Sequence, residues 1–164
     1  MTTYSTTSVT DEHGNPTTGP TDAIERYDAA IDRLVRYHGD VVHQMASLAA
    51  DHETFAMGQA LAAYLHLMSS DARDLDAARV HAAALHAAPR NDRETAHGAA
   101  VDAWIAGDWH GAARHLDDLL VESPTDVLAL LMGHMLDFFV GDARNLRDRI
   151  GRSIASFDRQ HPHY

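Results

Sequence analysis

Ala103-Trp104-Ile105-Ala106-Gly107-Asp108-Trp109 closes one apolar run and opens the next, and Asp137-Phe138-Phe139-Val140-Gly141-Asp142-Ala143 does the same 34 residues later on an identical Gly-Asp pair. A recurrence of about 34 residues is the period of helix-turn-helix units, each of which buries its apolar face only by stacking on its neighbours. The Gly suits the end of a helix because it enters the left-handed conformation without a Cβ penalty. After Gly107 come Trp109, a packing wedge, and Ala112, small where two helices cross. Leu116, Leu119 and Leu120 then continue an apolar stripe at helical spacing. Pro124 is expected to open the next helix. One repeat earlier, Ala77-Ala78-Arg79 and Pro89 answer Ala112-Ala113-Arg114 and Pro124 at a spacing of 35, a looser copy.

Working outward, the same reading predicts about eight helices. They cover 22–38, opened by Asp22 as N-cap with Glu25 behind it, and then 40–51, 53–68, 72–88, 93–106, 109–122, 125–140 and 143–157. The face of the first is Ile24, Tyr27, Ile31, Leu34 and Val35. Nothing alternates like a strand. The fold class is therefore all-α, with helix-turn-helix repeats stacked as a short right-handed tetratricopeptide-like α-solenoid over 22–164. Residues 1–21, rich in Thr, Gly and Pro, read as a polar N-terminal arm, partly disordered.

Composition narrows the function. The 164 residues carry 45% hydrophobic but only 7% aromatic residues, which favours close helix-on-helix packing over a sheet. A formal net charge of -11 argues against a nucleic-acid partner, and all 13 basic residues are Arg. Without cysteine there are no disulfides or thiolate metal ligands. No secretory leader is evident, which fits a cytoplasmic address. The longest apolar run, Val127 to Val140, contains His134 and Asp137 and is too short to span a membrane.

The run from Asp102 to Trp109, then Ala112-Ala113 and Leu116, then Gly133-His134, Asp137-Phe138-Phe139 and the stretch from Gly141 to Arg149 resemble the tetratricopeptide repeat protein 38 family. Asp11-Glu12-His13-Gly14-Asn15-Pro16, Thr17-Thr18, Met57-Gly58 and Ala63-Tyr64-Leu65 resemble the front of such proteins. Two departures stand out. Ala96 and Ala103 occupy positions where a standard repeat is bulkier, implying a tighter or less regular superhelix. Family members are also generally longer, so the resemblance implies either a shortened product or a fragment. It implies a helical-repeat scaffold and attaches no reaction to particular residues.

On this register the groove-facing candidates are Glu94, His97, Val101 and Trp104 from one unit and Leu128, Leu131, Met135 and Phe138 from the next. This apolar strip suits a hydrophobic helix or extended peptide. The polar candidate is His134 with Asp137, three apart on one helix face: either a carboxylate-oriented imidazole or a pair that fixes helix register. The paired histidines, His38 with His43, His81 with His86 and His110 with His115, are five apart and splay around their helices. His161 and His163 flank a Pro, where they could chelate opportunistically. No native metal site and no cofactor are predicted. Arg144, Arg147, Arg149 and Arg152 read as a solvated face answering Asp142 and Asp148. Ile150, Ile154 and Phe157 leave an apolar face on the last helix, inviting self-association through it. The leading function is a non-catalytic scaffold for protein–protein interaction, and the alternative is an enzyme or accessory subunit centred on His134 and Asp137.

Overall fold

A computed structural model describes residues 9–161 and 163–164. The described chain is all-α apart from one small hairpin. Strands β1 (Val9–Thr10) and β2 (Pro16–Thr17) pair antiparallel, Val9 opposite Thr17 and Thr10 opposite Pro16. The helices are α1 (Thr21–Val35), α2 (Val41–Asp51), α3 (Ala56–Met68), α4 (Leu75–Ala87), α5 (Asp92–Ile105), α6 (Trp109–Glu122), α7 (Val127–Val140) and α8 (Ala143–Ser153). Short 3₁₀ turns precede α4 at Ala72–Asp74 and follow α8 at Ile154–Ser156.

Each helix packs on the next in the chain, and α3 also touches α5. Helix α4 lies against both α3 and α5, and α6 against both α5 and α7. Helix α3 is central. Ala56, Ala60, Ala62 and Ala63 are buried along it and leave room for close helix approach. Helix α1 meets both α3 and α7, and β2 meets α5. The front of the chain thus lies against its later helices.

The repeated Gly-Asp pair forms two matching turns. Gly107 has φ 82° and Gly141 φ 73°, both left-handed. The amide of Asp108 donates to the carbonyl of Ala103 at 2.9 Å, and that of Asp142 to Asp137 at 2.8 Å, closing each helix with the same motif. Each Asp then caps the helix that follows. The Asp108 side chain accepts from the amide of Gly111 at 2.7 Å and Asp142 from Asn145 at 3.0 Å. Such a cap stabilises by about 1 kcal/mol.

Other boundaries differ from the sequence reading. Helix α1 starts at Thr21 behind Pro20, and its N-terminus has no side-chain cap. The capping box is at α5, where Asn91 and Glu94 bond each other's amides at 2.9 Å. Pro124 does not open α7; Asp126 caps it through the amide of Ala129 at 2.9 Å. The expected 1–21 arm divides: 1–8 lies outside the described residues, while Asp11, Asn15 and Thr17 are buried in the body. The hairpin is a strand pair too short for its alternation to register in the sequence.

Candidate functional site

Most of the predicted groove is core. Glu94, His97, Val101, Trp104 and Leu128 are buried, while Leu131 and Met135 are half-buried and Phe138 is exposed. Two elements cover it: the hairpin occupies the N-terminal end of α5 at Glu94, and α3 lies against the rest, with Tyr64 packed on His97 and Trp104 at 5.7 and 6.2 Å between ring centroids. Glu94 Oε1 accepts from Thr17 Oγ1 at 3.0 Å and from the amide of Thr18 at 2.7 Å, and Oε2 accepts from Thr18 Oγ1 at 2.8 Å. Asn15 Nδ2 donates to the carbonyl of Thr125 at 3.3 Å, tying the turn to the approach to α7.

Behind Glu94 lies a buried ionic network. Arg93 Nε donates to Asp126 Oδ2 at 2.6 Å, its Nη2 stands 3.0 Å from Asp11 Oδ2, and its Nη1 donates to the carbonyl of Pro16 at 3.1 Å. One helical turn on, His97 Nε2 is 3.0 Å from the same Asp126 oxygen, and Tyr64 Oη is 3.1 Å from His97 Nδ1. Burial alone would push the Asp126 carboxyl up; Arg93 and His97 outweigh it and hold the carboxyl well below the usual range. Burial, with Asp126 adding, pushes the Tyr64 hydroxyl well above its ordinary value. Asp126 is therefore ionised and can only accept, so His97 donates to it through Nε2, and the Tyr64 hydroxyl is shared between His97 Nδ1 and the His97 carbonyl, 3.3 Å away. The hydroxyl–imidazole–carboxylate order matches that of a general-base relay. Yet Tyr64, His97 and Asp126 are all fully buried, so the relay fixes the register of α3, α5 and α7 instead of meeting substrate.

His134 and Asp137 do not pair. Asp137 is taken by Arg149, whose Nε donates at 2.8 Å and Nη2 at 3.0 Å, while Nη1 reaches Asp117 at 2.8 Å. Arg149 is thus buried, while Arg144, Arg147 and Arg152 are exposed as expected. His134 Nδ1 is buried without a partner. Of the spaced histidines, His81 bonds Gln59 at 2.8 Å and His86 bonds Asp102 at 2.9 Å. His13, which the sequence reading passed over, meets His161 and His163. Burial lowers the His13 pKa to about 4, against the pull of Asp11.

The accessible apolar surface lies elsewhere. From Tyr64 an aromatic row runs outward through Trp104 at 6.2 Å, Trp109 at a further 6.2 Å, Phe139 at 5.7 Å and Phe138 at 6.0 Å between ring centroids. Phe138 ends the row 64% exposed. Beside it Trp104 and Trp109, with Leu67, Leu75 and Ile105, line a cleft of about 250 Å³. These residues end α3, α5 and α7 and begin α4 and α6, so their meeting follows from helix lengths that match. Ile150 on α8 and Ile154 in the 3₁₀ turn after it are exposed, whereas Phe157, which follows that turn, is buried against His161 at 4.9 Å. A larger recess between α5 and α6, about 600 Å³, is rimmed by Asp92, Asp118 and Glu122. Among the described residues no helix is long and apolar enough to cross a membrane. No protein-family model matches the chain, and no solved structure matches it.

Proposed function

We propose that the chain is a short right-handed tetratricopeptide-like helical-repeat scaffold, of the kind its resemblance to the tetratricopeptide repeat protein 38 family implies. It acts without catalysis, in the cytoplasm, by binding an apolar helix or extended peptide of a protein partner. The observation that carries this reading is the aromatic row that surfaces at Phe138. A large aromatic at 64% exposure, continuous with buried rings, offers a rigid anchor at little entropic cost. Support for a repeat comes from the matching Gly-Asp turns and from α4 and α6 each bridging two successive odd-numbered helices. The docking surface lies at one end of the expected groove, because the hairpin covers Glu94 and α3 covers the residues that follow on α5. The enzyme alternative loses its central pair, since Arg149 holds Asp137.

The test is selection of peptides from a random display library on the immobilised chain, followed by affinity measurement on wild type and on Phe138→Ser. Enriched apolar sequences whose affinity falls about tenfold or more in the variant support the reading. Enriched peptides that bind Phe138→Ser unchanged, or no enrichment at all, overturn it. Self-association through Ile150 and Ile154 is read separately, by light scattering of wild type and Ile154→Asp.

A further inference from the structure

Three histidines far apart in sequence converge beside the hairpin. His13 lies in its turn, and His161 is 148 residues away. The ring centroids stand 4.9 Å apart for His13 and His161, 5.1 Å for His13 and His163, and 5.6 Å for His161 and His163. One nitrogen from each lies within 4.8 Å of the others. The side chains of His13 and His163 are only 2% and 4% exposed. Two of their nitrogens, His13 Nε2 and His163 Nδ1, are nonetheless buried with no hydrogen-bond partner. Orphaned atoms of this kind in a native interior call for an explanation.

We propose that His13, His161 and His163 bind one first-row divalent metal ion, with Zn²⁺ the best fit. Neutral imidazole is a preferred ligand of Zn²⁺, and three such ligands leave a fourth position for water or a carboxylate. Glu12 Oε1 lies 3.5 Å from His13 Nε2, on the side of the ring away from His161, where it faces the proton that Nε2 carries when Nδ1 ligates. His163 is already oriented as a ligand. Its Nε2 lies 3.2 Å from Asp32 Oδ1 and donates to it, which turns the Nδ1 lone pair towards the cluster. A carboxylate behind a ligating imidazole fixes its tautomer and raises its basicity.

The distances are close to those required. Zn–N bonds of about 2.0–2.1 Å in a tetrahedron place ligand nitrogens about 3.3 Å apart. His13 Nδ1 and His161 Nε2 stand at 2.9 Å, sharing a proton. Because His161 Nδ1 accepts from the amide of His163 at 3.1 Å, that proton belongs to His161 Nε2. On binding, the ion replaces it. The proton moves to Nδ1 of the same ring, the bond from the His163 amide opens, and the imidazole stays neutral. The ion would hold the hairpin to the segment around residue 161.

The experiment is titration of the full chain, free of any affinity tag, with Co²⁺ and then Zn²⁺, read by the ligand-field absorption of four-coordinate Co²⁺ and by melting temperature. The expected result is one Co²⁺ per chain, displaced by one Zn²⁺, with a rise in melting temperature. His161→Ala and His163→Ala each lower the affinity tenfold or more and abolish that rise, while circular dichroism reports an unchanged helical fold. Asp32→Asn, a positioning residue, lowers affinity by about 10–100-fold with the Co²⁺ spectrum kept. His38→Ala leaves both readouts unchanged. Absence of stoichiometric binding by wild type, or wild-type affinity in the His161→Ala/His163→Ala double variant, overturns the proposal.

Discussion

Two buried polar clusters meet the same hairpin and differ in how their atoms are used. Around Arg93 and Asp126 each side-chain donor faces an acceptor, and the carboxylate of Asp126 accepts from Arg93, His97 and the amide of Ala129. In the histidine trio, His13 Nε2 and His163 Nδ1 have no hydrogen-bond partner. Burial costs both clusters, but only the first recovers the cost within the chain itself. A closed network specifies register, and an open one has ligating capacity left over. That is why the relay-like order Tyr64–His97–Asp126 is assigned to structure and the less regular histidine trio to binding.

The comparison breaks most directly at Asp126. Asp126→Ala strands Arg93 and His97 in the core and should cost about 3–5 kcal/mol in urea unfolding. A loss under 1 kcal/mol would mean the network is not a determinant of the fold. In the wild type the same contribution is present at neutral pH and lost on acidification, since the native pKa lies below the unfolded one. A second closed network offers a steric test. A Cβ on Gly133 would stand 2.6 Å from Arg149 Nη1 and 2.7 Å from Cζ, and that guanidinium is held by Asp137 and Asp117. Gly133→Ala should therefore cost about 2 kcal/mol, and a neutral result would show that Arg149 can leave its site.

On the open side, the hairpin's neighbour Asp28 sharpens the contrast. Its Oδ1 is buried without a partner, and burial, with Asp11 and Glu12 adding, pushes its pKa up to about 7. The native state then holds a proton that the unfolded state has released, so stability falls as pH rises from about 4 to 7. Asp28→Asn should gain about 1–2 kcal/mol at pH 8, allowing for partial exposure, and almost nothing at pH 4. An equal gain at both pH values would assign the effect to packing. The smallest effect lies outside both clusters and calibrates them. Helix α1 ends like α5, with the amide of His38 bonded to the carbonyl of Arg33 at 2.9 Å, but the left-handed position there is Tyr37 at φ 57°. Tyr37 is 87% exposed, so Tyr37→Gly should raise stability by about 0.5–1 kcal/mol in thermal melts.

What was legible in the sequence was local. Gly107 and Gly141 announce their turns because the conformation needed there excludes most other residues. The eight helices follow from apolar periodicity, with ends displaced by a few residues where Pro20 and Asp126 act in place of Asp22 and Pro124. What was not legible depends on distance along the chain. Glu94 and His97 lie on a plausible groove face, but the hairpin that covers Glu94 comes from 76 residues earlier. His13 has no periodic relation to His161. Asp137 was given the wrong partner because an Arg in a charged run reads as solvated, and nothing near Arg149 marks it as the one turned inward. The Gly at 133, opposite its guanidinium, is the signal that would have found it.

The hairpin on Glu94 can also be viewed as a ligand that never leaves. It is tethered directly to α1, so its effective concentration at the α5 site is on the order of millimolar. A free peptide with the same intrinsic affinity would need a comparable concentration to displace half of it. Competition at this face is therefore set by tether length as much as by contacts, and lengthening the connection between Thr18 and Thr21 would tune it without altering a single bond to Glu94.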